Sequence, residues 1–225
     1  MKGKVILVTG GFGALGRAVV QELAERGAKV VAIDVAPEGG VDGAALSLAG
    51  VDITDPAAAG QAVSRSIEQI GPPDGLVNVA GGFTWETVLD GSVDSWDAMY
   101  RVNVRTALLM SQAAAQHLAG RGGAIVNVGA AASARAAMGM GAYAAAKAGV
   151  ARLTEALAEE LKDKGVRVNA VLPSIIDTAK NREDMPDAEF DRWVSPSALA
   201  KVIAFLFSDD AAPITGALVP VAGRV

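Results

Sequence analysis

The feature that most restricts the fold is a turn near the start of the chain. A short apolar run, KVILVT, ends in GGFGALG and passes directly into the helical pattern RAVVQELAERG. Gly11, Gly13 and Gly16 stand in GxGxxG spacing, so a buried strand must pass through a tight turn into a helix whose first residues lie close to the strand end. Such a turn offers backbone N–H groups at a helix N-terminus, which suits the pyrophosphate of a dinucleotide. Gly10, Gly11, Phe12, Gly13, Ala14, Leu15 and Gly16 are therefore the first candidate cofactor contacts.

The remainder of the chain repeats the strand-then-helix alternation. KVVAID, LSLAGVD, GLVNVA, GAIVNVG and VRVNAVLP are short and carry little polar alternation, as strands buried on both faces do. The segments between them are long enough for crossover helices, expected at Ala14 to Arg26, Pro56 to Ile70, Val93 to Ala119, Gly141 to Lys164 and Pro196 to Phe207. ALVPVA closes an edge. The expectation is an α/β, doubly wound parallel sheet of about seven strands, a Rossmann-type arrangement in one domain spanning 1–225. Half of the residues are apolar, enough for a core of that size.

Composition removes several chemistries. There is no cysteine, and His117 is the one histidine, so disulfides, thiol nucleophiles, serine–histidine triads and histidine-rich metal sites are not expected. A net charge of −5 without a basic cluster argues against nucleic acid or an anionic membrane as partner. The apolar run at the N-terminus is too short for a signal or a span, and the Ala-rich stretch from Ala130 to Ala151 is broken by Arg135 and Lys147. A cytoplasmic protein with a small-molecule substrate is the expectation.

In a sheet of this kind ligands bind beyond the carboxyl ends of the strands. The second strand ends in Asp34, where a carboxylate can accept hydrogen bonds from the adenine ribose and repel a 2′-phosphate, so NAD(H) is expected over NADP(H). Tyr143 and Lys147 stand four apart in GMGAYAAAKAGV and share one helix face. A phenol starts near pKa 10, and positive charge from Lys147 and an oxidised nicotinamide should lower it by about 1 pH unit for each 1.36 kcal/mol of stabilisation. Tyr143 could then exchange a proton with a substrate while Lys147 orients a ribose.

TGGFGALG, Asp34, Asp52 before Ile53, Asn78 shortly before Ala80 and Gly81, Asn103, Tyr143 with Lys147, and LPSIIDT follow one another in an order that resembles the short-chain dehydrogenase/reductase family across nearly the whole chain. The resemblance implies that Asp52 and Ile53 lie beside the adenine and that Asn78 supports the strand ends. It implies that Pro173 and Thr178 of LPSIIDT border the nicotinamide, and that Asn103 holds a water in a proton relay behind Lys147. It also implies a homodimer or homotetramer packed through the helices around Val93 to Ala119 and Gly141 to Lys164.

One position departs from the family pattern. The serine expected thirteen residues before Tyr143 is Ala130, which donates no hydrogen bond; Ser133 lies three residues later, at the wrong spacing. Loss of one donor to a developing oxyanion costs about 2.7 to 4 kcal/mol, so an ordinary ketone reductase built this way should be slow. GGFGALG, VAGG, Ala130 and LPSIIDTAKNREDMPDAEFDRW resemble the dihydropteridine reductase branch, which implies NADH-dependent reduction of a quinonoid dihydropterin. Asn103 sits where that branch departs from the wider family. The segment near 174–195 is expected to form a substrate lid, with Phe190 and Trp193 either touching substrate or packing the lid, and Arg182 as a polar contact to substrate. The alternatives are an ordinary ketone, alcohol or 3-oxoacyl reductase using Ser133, and a non-catalytic dinucleotide sensor.

Overall fold

Seven strands lie side by side in the computed structural model, which describes residues 1–225. In chain order they are β1 (Val5–Thr9), β2 (Lys29–Ile33), β3 (Ala44–Leu48), β4 (Gly75–Asn78), β5 (Gly123–Val128), β6 (Val166–Pro173) and β7 (Leu218–Val221). Their order across the sheet is β3-β2-β1-β4-β5-β6-β7, and every neighbouring pair is parallel. Six coincide with the expected runs, β3 starts two residues before LSLAGVD and stops at Leu48, and ALVPVA does close an edge.

Alternation along β1 shows why these strands read as unbroken apolar runs. Val5 and Leu7 point into a core shared with α2 (Pro56–Gln69), α4 (Thr106–Leu118) and α5 (Gly141–Leu161), while Ile6 and Val8 point into the one beneath α1 (Ala14–Glu25) and α7 (Pro196–Leu206). Each face needs its own apolar set, so no position is left for a polar side chain. The helix starts are set by local chemistry. Asp55 and Ser195 cap the α2 and α7 N-termini with side-chain oxygens, and Pro56 and Pro196 fill the first helical positions, where a missing N–H costs nothing.

The helices differ from expectation in two places. The helix expected from Val93 to Ala119 is divided into α3 (Val93–Tyr100) and α4 by a π-turn over Arg101–Arg105. A short helix, α6 (Ala179–Asp184), stands within the expected lid, capped by Thr178.

The sheet order reverses beside β1, where the crossover to β2 leaves one way and that to β4 the other. A crevice opens at that point, beyond the carboxyl ends of the strands. Thr9, Asn78 and Asn127 fall in one row across β1, β4 and β5. The Thr9 hydroxyl accepts the N–H groups of Val79 and Ala80, at 3.1 and 3.2 Å. Asn78 Nδ2 donates to Asn127 Oδ1 at 2.8 Å, and Asn127 Nδ2 donates to Thr154 Oγ1 at 2.9 Å. This buried polar row fixes the strand ends from which the site is built.

Candidate active site

Close approach of backbone to backbone explains the glycine turn. Gly10 has φ +62°, a region that favours glycine, and a Cβ there would lie 2.9 Å from the Ala80 backbone. A Cβ on Gly16 would collide with the Gly10 carbonyl, so the helix could not start so near the strand. A Cβ on Gly11 would lie 2.8 Å from that of Ala32. Gly13 is open to the crevice, and as the residue preceding α1 it supplies no side-chain cap. The first N–H groups of α1 therefore face a space that an anion can fill, and the residues present fit a dinucleotide pyrophosphate.

A cavity of about 570 Å³ begins there. Gly10, Gly13, Ala14, Leu15, Gly16, Asp34, Asp52, Ile53, Ala80, Gly81 and Thr178 line it, all named from the sequence. Gly11, Phe12, Asn78, Tyr143, Lys147 and Pro173 do not. Gly11 packs on β2, and the Phe12 ring lies against Gly39. Phe12 contributes through its N–H, which donates to Asp34 Oδ2 at 2.9 Å. Asn78 is buried beneath the cavity in the polar row.

Asp34 Oδ1 also accepts the Ala36 N–H, at 3.0 Å, so the carboxylate is oriented by backbone on both sides while it faces the cavity. At the far wall, hydrogen bonds from Thr54, the backbone one foremost, hold the Asp52 carboxyl below its ordinary range, and Arg101 adds to the effect. Arg101 and Val102 line the cavity from the π-turn, a position that no simple periodicity announces.

Gly81 joins this cavity to the Tyr143 and Lys147 face. A Cβ on Gly81 would lie 2.5 Å from Asn103 Oδ1 and 3.4 Å from Lys147 Nζ, so all three residues meet at one point. Asn103 is buried in the π-turn. Its Nδ2 donates to the carbonyls of Met99 (3.0 Å) and Gly82 (3.1 Å), and its Oδ1 accepts the Gly82 N–H at 3.3 Å. Lys147 Nζ donates to the Val128 carbonyl at 2.9 Å and lies 5.8 Å from the centre of the Tyr143 ring.

Electrostatics depart from the sequence expectation. Burial pushes the Tyr143 phenol up to about 12 and the Lys147 ammonium down to about 8. Desolvation disfavours both charged forms and is the cause of both shifts in the protein alone. Tyr143 is accordingly a neutral hydroxyl at pH 7, ready to donate a proton.

Ala130 is buried, with an extended backbone (φ −160°, ψ 154°), and presents a methyl group. Ser133 lies one 3-10 turn further on and is tied back by its N–H to the Ala130 carbonyl at 3.0 Å. In the lid, Phe190 and Trp193 pack on each other at 4.9 Å. Arg182 makes a two-pronged ion pair with Asp177 and stacks 4.8 Å from the Phe190 ring centre. Trp193 is buried. Packing within this segment thus occupies the two aromatics for which the sequence left two roles open, and the Asp177 ion pair engages Arg182, expected as a polar contact to substrate.

The aromatic group packed on the phenol ring is one the sequence did not single out. Phe83 meets the Tyr143 ring edge-on, with centroids 5.0 Å apart, and is 53% exposed. Trp85 is 57% exposed and lies on the bare backbone of Gly139. The Glu86 N–H donates to the Gly139 carbonyl at 2.9 Å, fixing this loop to the segment that leads into α5. VAGGFTW carries no periodic signal, and only its position after β4 could have marked these residues.

A model of the short chain dehydrogenase family matches residues 4–189. The 3-oxoacyl-(acyl-carrier-protein) reductase FabG of Pseudomonas aeruginosa is 33% identical over 99% of this chain and 97% of its own length. Meso-2,3-butanediol dehydrogenase of Serratia marcescens is 33% identical over 98% of this chain and 93% of its own. Among solved structures, a short-chain dehydrogenase/reductase from Serratia marcescens superposes with a TM-score of 0.88 at 32% identity, over 99% of this chain and 98% of that one. NAD+-bound xylitol dehydrogenase gives a TM-score of 0.89 at 26% identity, with coverage of 99% and 98%.

Proposed function

Because the chain belongs to the short-chain dehydrogenase/reductase family, we propose that it is an NADH-dependent reductase of an activated, conjugated acceptor, typified by a quinonoid dihydropterin. One observation carries this reading. The proton donor and its lysine are in place, while the buried methyl of Ala130 stands where the family pattern has a hydroxyl. An isolated carbonyl needs that hydroxyl; an electrophilic conjugated ring develops less charge on a single oxygen. Exposed aromatic faces at Phe83 and Trp85 support a flat substrate beside Tyr143.

The nicotinamide supplies the hydride when bound. Gly13, Ala14 and Leu15 offer backbone N–H groups to its pyrophosphate, and Asp34 accepts from the ribose hydroxyls and repels a 2′-phosphate, which favours NADH. Asp52 and Ile53 border the adenine end, and Thr178 the opposite one. Tyr143 donates its proton to the acceptor. Lys147 orients the ribose and stabilises the phenolate left behind, and Asn103 at Gly81 holds the water through which that proton is replaced.

The test is NADH oxidation with a quinonoid dihydropterin generated in the assay, comparing the native chain with Tyr143→Phe. Rapid turnover that the substitution greatly reduces supports the reading; NADH binding without turnover rejects this substrate class. A second reading, a ketone, alcohol or 3-oxoacyl reductase using Ser133, is favoured by the names of the relatives. Loss of ketone reduction in Ser133→Ala would establish it.

The same reading includes a homodimer or homotetramer formed through α4 and α5, with Val93, Trp96 and Tyr100 of α3 exposed nearby. No helix is long and apolar enough to cross a membrane. A cytoplasmic location is part of the proposal.

A further inference from the structure

We propose that the segment Val221–Val225 is a strap that fixes the neck of the lid, and that Arg224 is thereby a positioning residue for substrate. The proposal rests on reading 174–195 as the substrate lid. Both legs of that segment are fastened to the strap. On the leading side, Ser174 donates its N–H to the Val221 carbonyl at 3.1 Å and its hydroxyl to the Ala222 carbonyl at 2.7 Å. On the returning side, the Arg224 N–H donates to the Arg192 carbonyl at 2.9 Å, and Arg192 Nε donates back to the Arg224 carbonyl at 3.0 Å. Arg224 Nη2 donates to the Asp191 carbonyl and to its carboxylate, at 2.7 and 2.8 Å.

Gly223 makes this pairing possible. Its φ is +62°, and a Cβ there would lie 2.7 Å from the Arg192 carbonyl oxygen, so a side chain would push the strap off the returning leg. Between the legs, Asp177 N–H donates to the Val194 carbonyl at 2.8 Å and Val194 N–H to the Ile175 carbonyl at 3.0 Å, closing the neck. Motion is then confined to the crown that carries Thr178, α6 and Phe190. A fixed neck sets where Thr178 meets the cavity and where the crown comes down on a substrate. Arg224 touches neither; it acts through Asp191 and Arg192.

Amide hydrogen exchange and steady-state kinetics test this together, on the native chain, Arg224→Ala, Arg224→Lys and Gly223→Ala. The expected result is about tenfold faster exchange at Trp193 and Val194 in Arg224→Ala, with partial recovery in Arg224→Lys, which keeps one donor. Gly223→Ala should act in the same direction. NADH should slow exchange around Thr178 in the native chain and do so less in Arg224→Ala. With a quinonoid dihydropterin, KM should rise about three- to tenfold with kcat within about twofold. Unchanged exchange at Trp193 and Val194 overturns the strap. Faster exchange with unchanged NADH protection and unchanged KM overturns the positioning role. If the native chain does not turn over the pterin, the substrate reading falls by itself, and the strap is decided by the two exchange measurements.

Discussion

Lys147 is the one buried cation at the site, and it should cost the fold stability in a pH-dependent way. In the unfolded chain its ammonium titrates near 10.5, whereas in the folded chain burial brings this to about 8. Between those values the unfolded state holds the extra proton, so stability rises with pH; below about 8 the penalty is fully present and constant. At 1.36 kcal/mol per pH unit the full penalty is about 3 kcal/mol, of which about 2 kcal/mol should be relieved between pH 7 and pH 9.5. Stopping at pH 9.5 keeps Tyr143 out of the measurement. Its phenol is pushed up to about 12 in the fold, so its linkage has the opposite sign and lies above pH 10.

The perturbation is Lys147→Met, which keeps an unbranched chain of similar length and removes the charge. At pH 7 it relieves the penalty but leaves the Val128 carbonyl without its Nζ donor, at a cost of about 1 to 3 kcal/mol, so the net change there is small. The pH dependence is the cleaner reading. Urea unfolding without dinucleotide, followed at pH 7 and pH 9.5, should show the native chain gaining about 2 kcal/mol relative to Lys147→Met across that interval. Parallel behaviour of the two proteins, within about 0.5 kcal/mol, would refute the claim that the folded ammonium is held near 8 by burial. Reductase activity should be lost in the variant at both values, which separates the stability cost from the catalytic use.

Tyr143→Phe should lower kcat by about a hundredfold or more with little change in NADH affinity by fluorescence titration, since the phenol moves a proton and the ring packing on Phe83 survives. Ala130→Ser should improve reduction of a simple ketone by more than tenfold while leaving a conjugated acceptor nearly unchanged; equal gains on both would show that the acceptor needs the hydroxyl after all. Asp34→Ser should narrow the NADH preference, measured as the ratio of kcat/KM with NADH and NADPH, and an unchanged ratio would place discrimination elsewhere. Phe83→Ala should raise KM for a flat acceptor about tenfold.

How far the sequence could be read depended on how local each signal is. The glycine turn, the strand runs and the Pro56 and Pro196 helix starts are decided within a few residues, and each lies where its local chemistry puts it. The π-turn at Arg101–Arg105 is different. It adds one residue to a helical stretch whose apolar spacing still looks continuous, yet it brings Arg101 and Val102 to the cavity and Asn103 to Gly81. The bare position that matters most is likewise set by tertiary contact. Ala130 is legible as a departure, but that its methyl is buried beside the site depends on the packing of β5 against α5.

The aromatic residues show why composition misleads when a site spans loops. Phe190 and Trp193 lie close together in a distinctive motif and invite assignment to substrate. In the structure each has a partner: Trp193 is buried, and Phe190 is held between Trp193 and Arg182. An aromatic side chain already enclosed has little face left to offer, whereas Phe83, packed on the Tyr143 ring, and Trp85, on Gly139, each keep about half their surface open. Their loop is held against Gly139 by a main-chain hydrogen bond, so the open faces are fixed in place before a substrate arrives and little ordering cost is left to binding. On the proposed reading the lid would exclude water and the Phe83 loop would select shape, so substitution of Trp193 should destabilise the lid, whereas substitution of Phe83 should change which substrates are accepted.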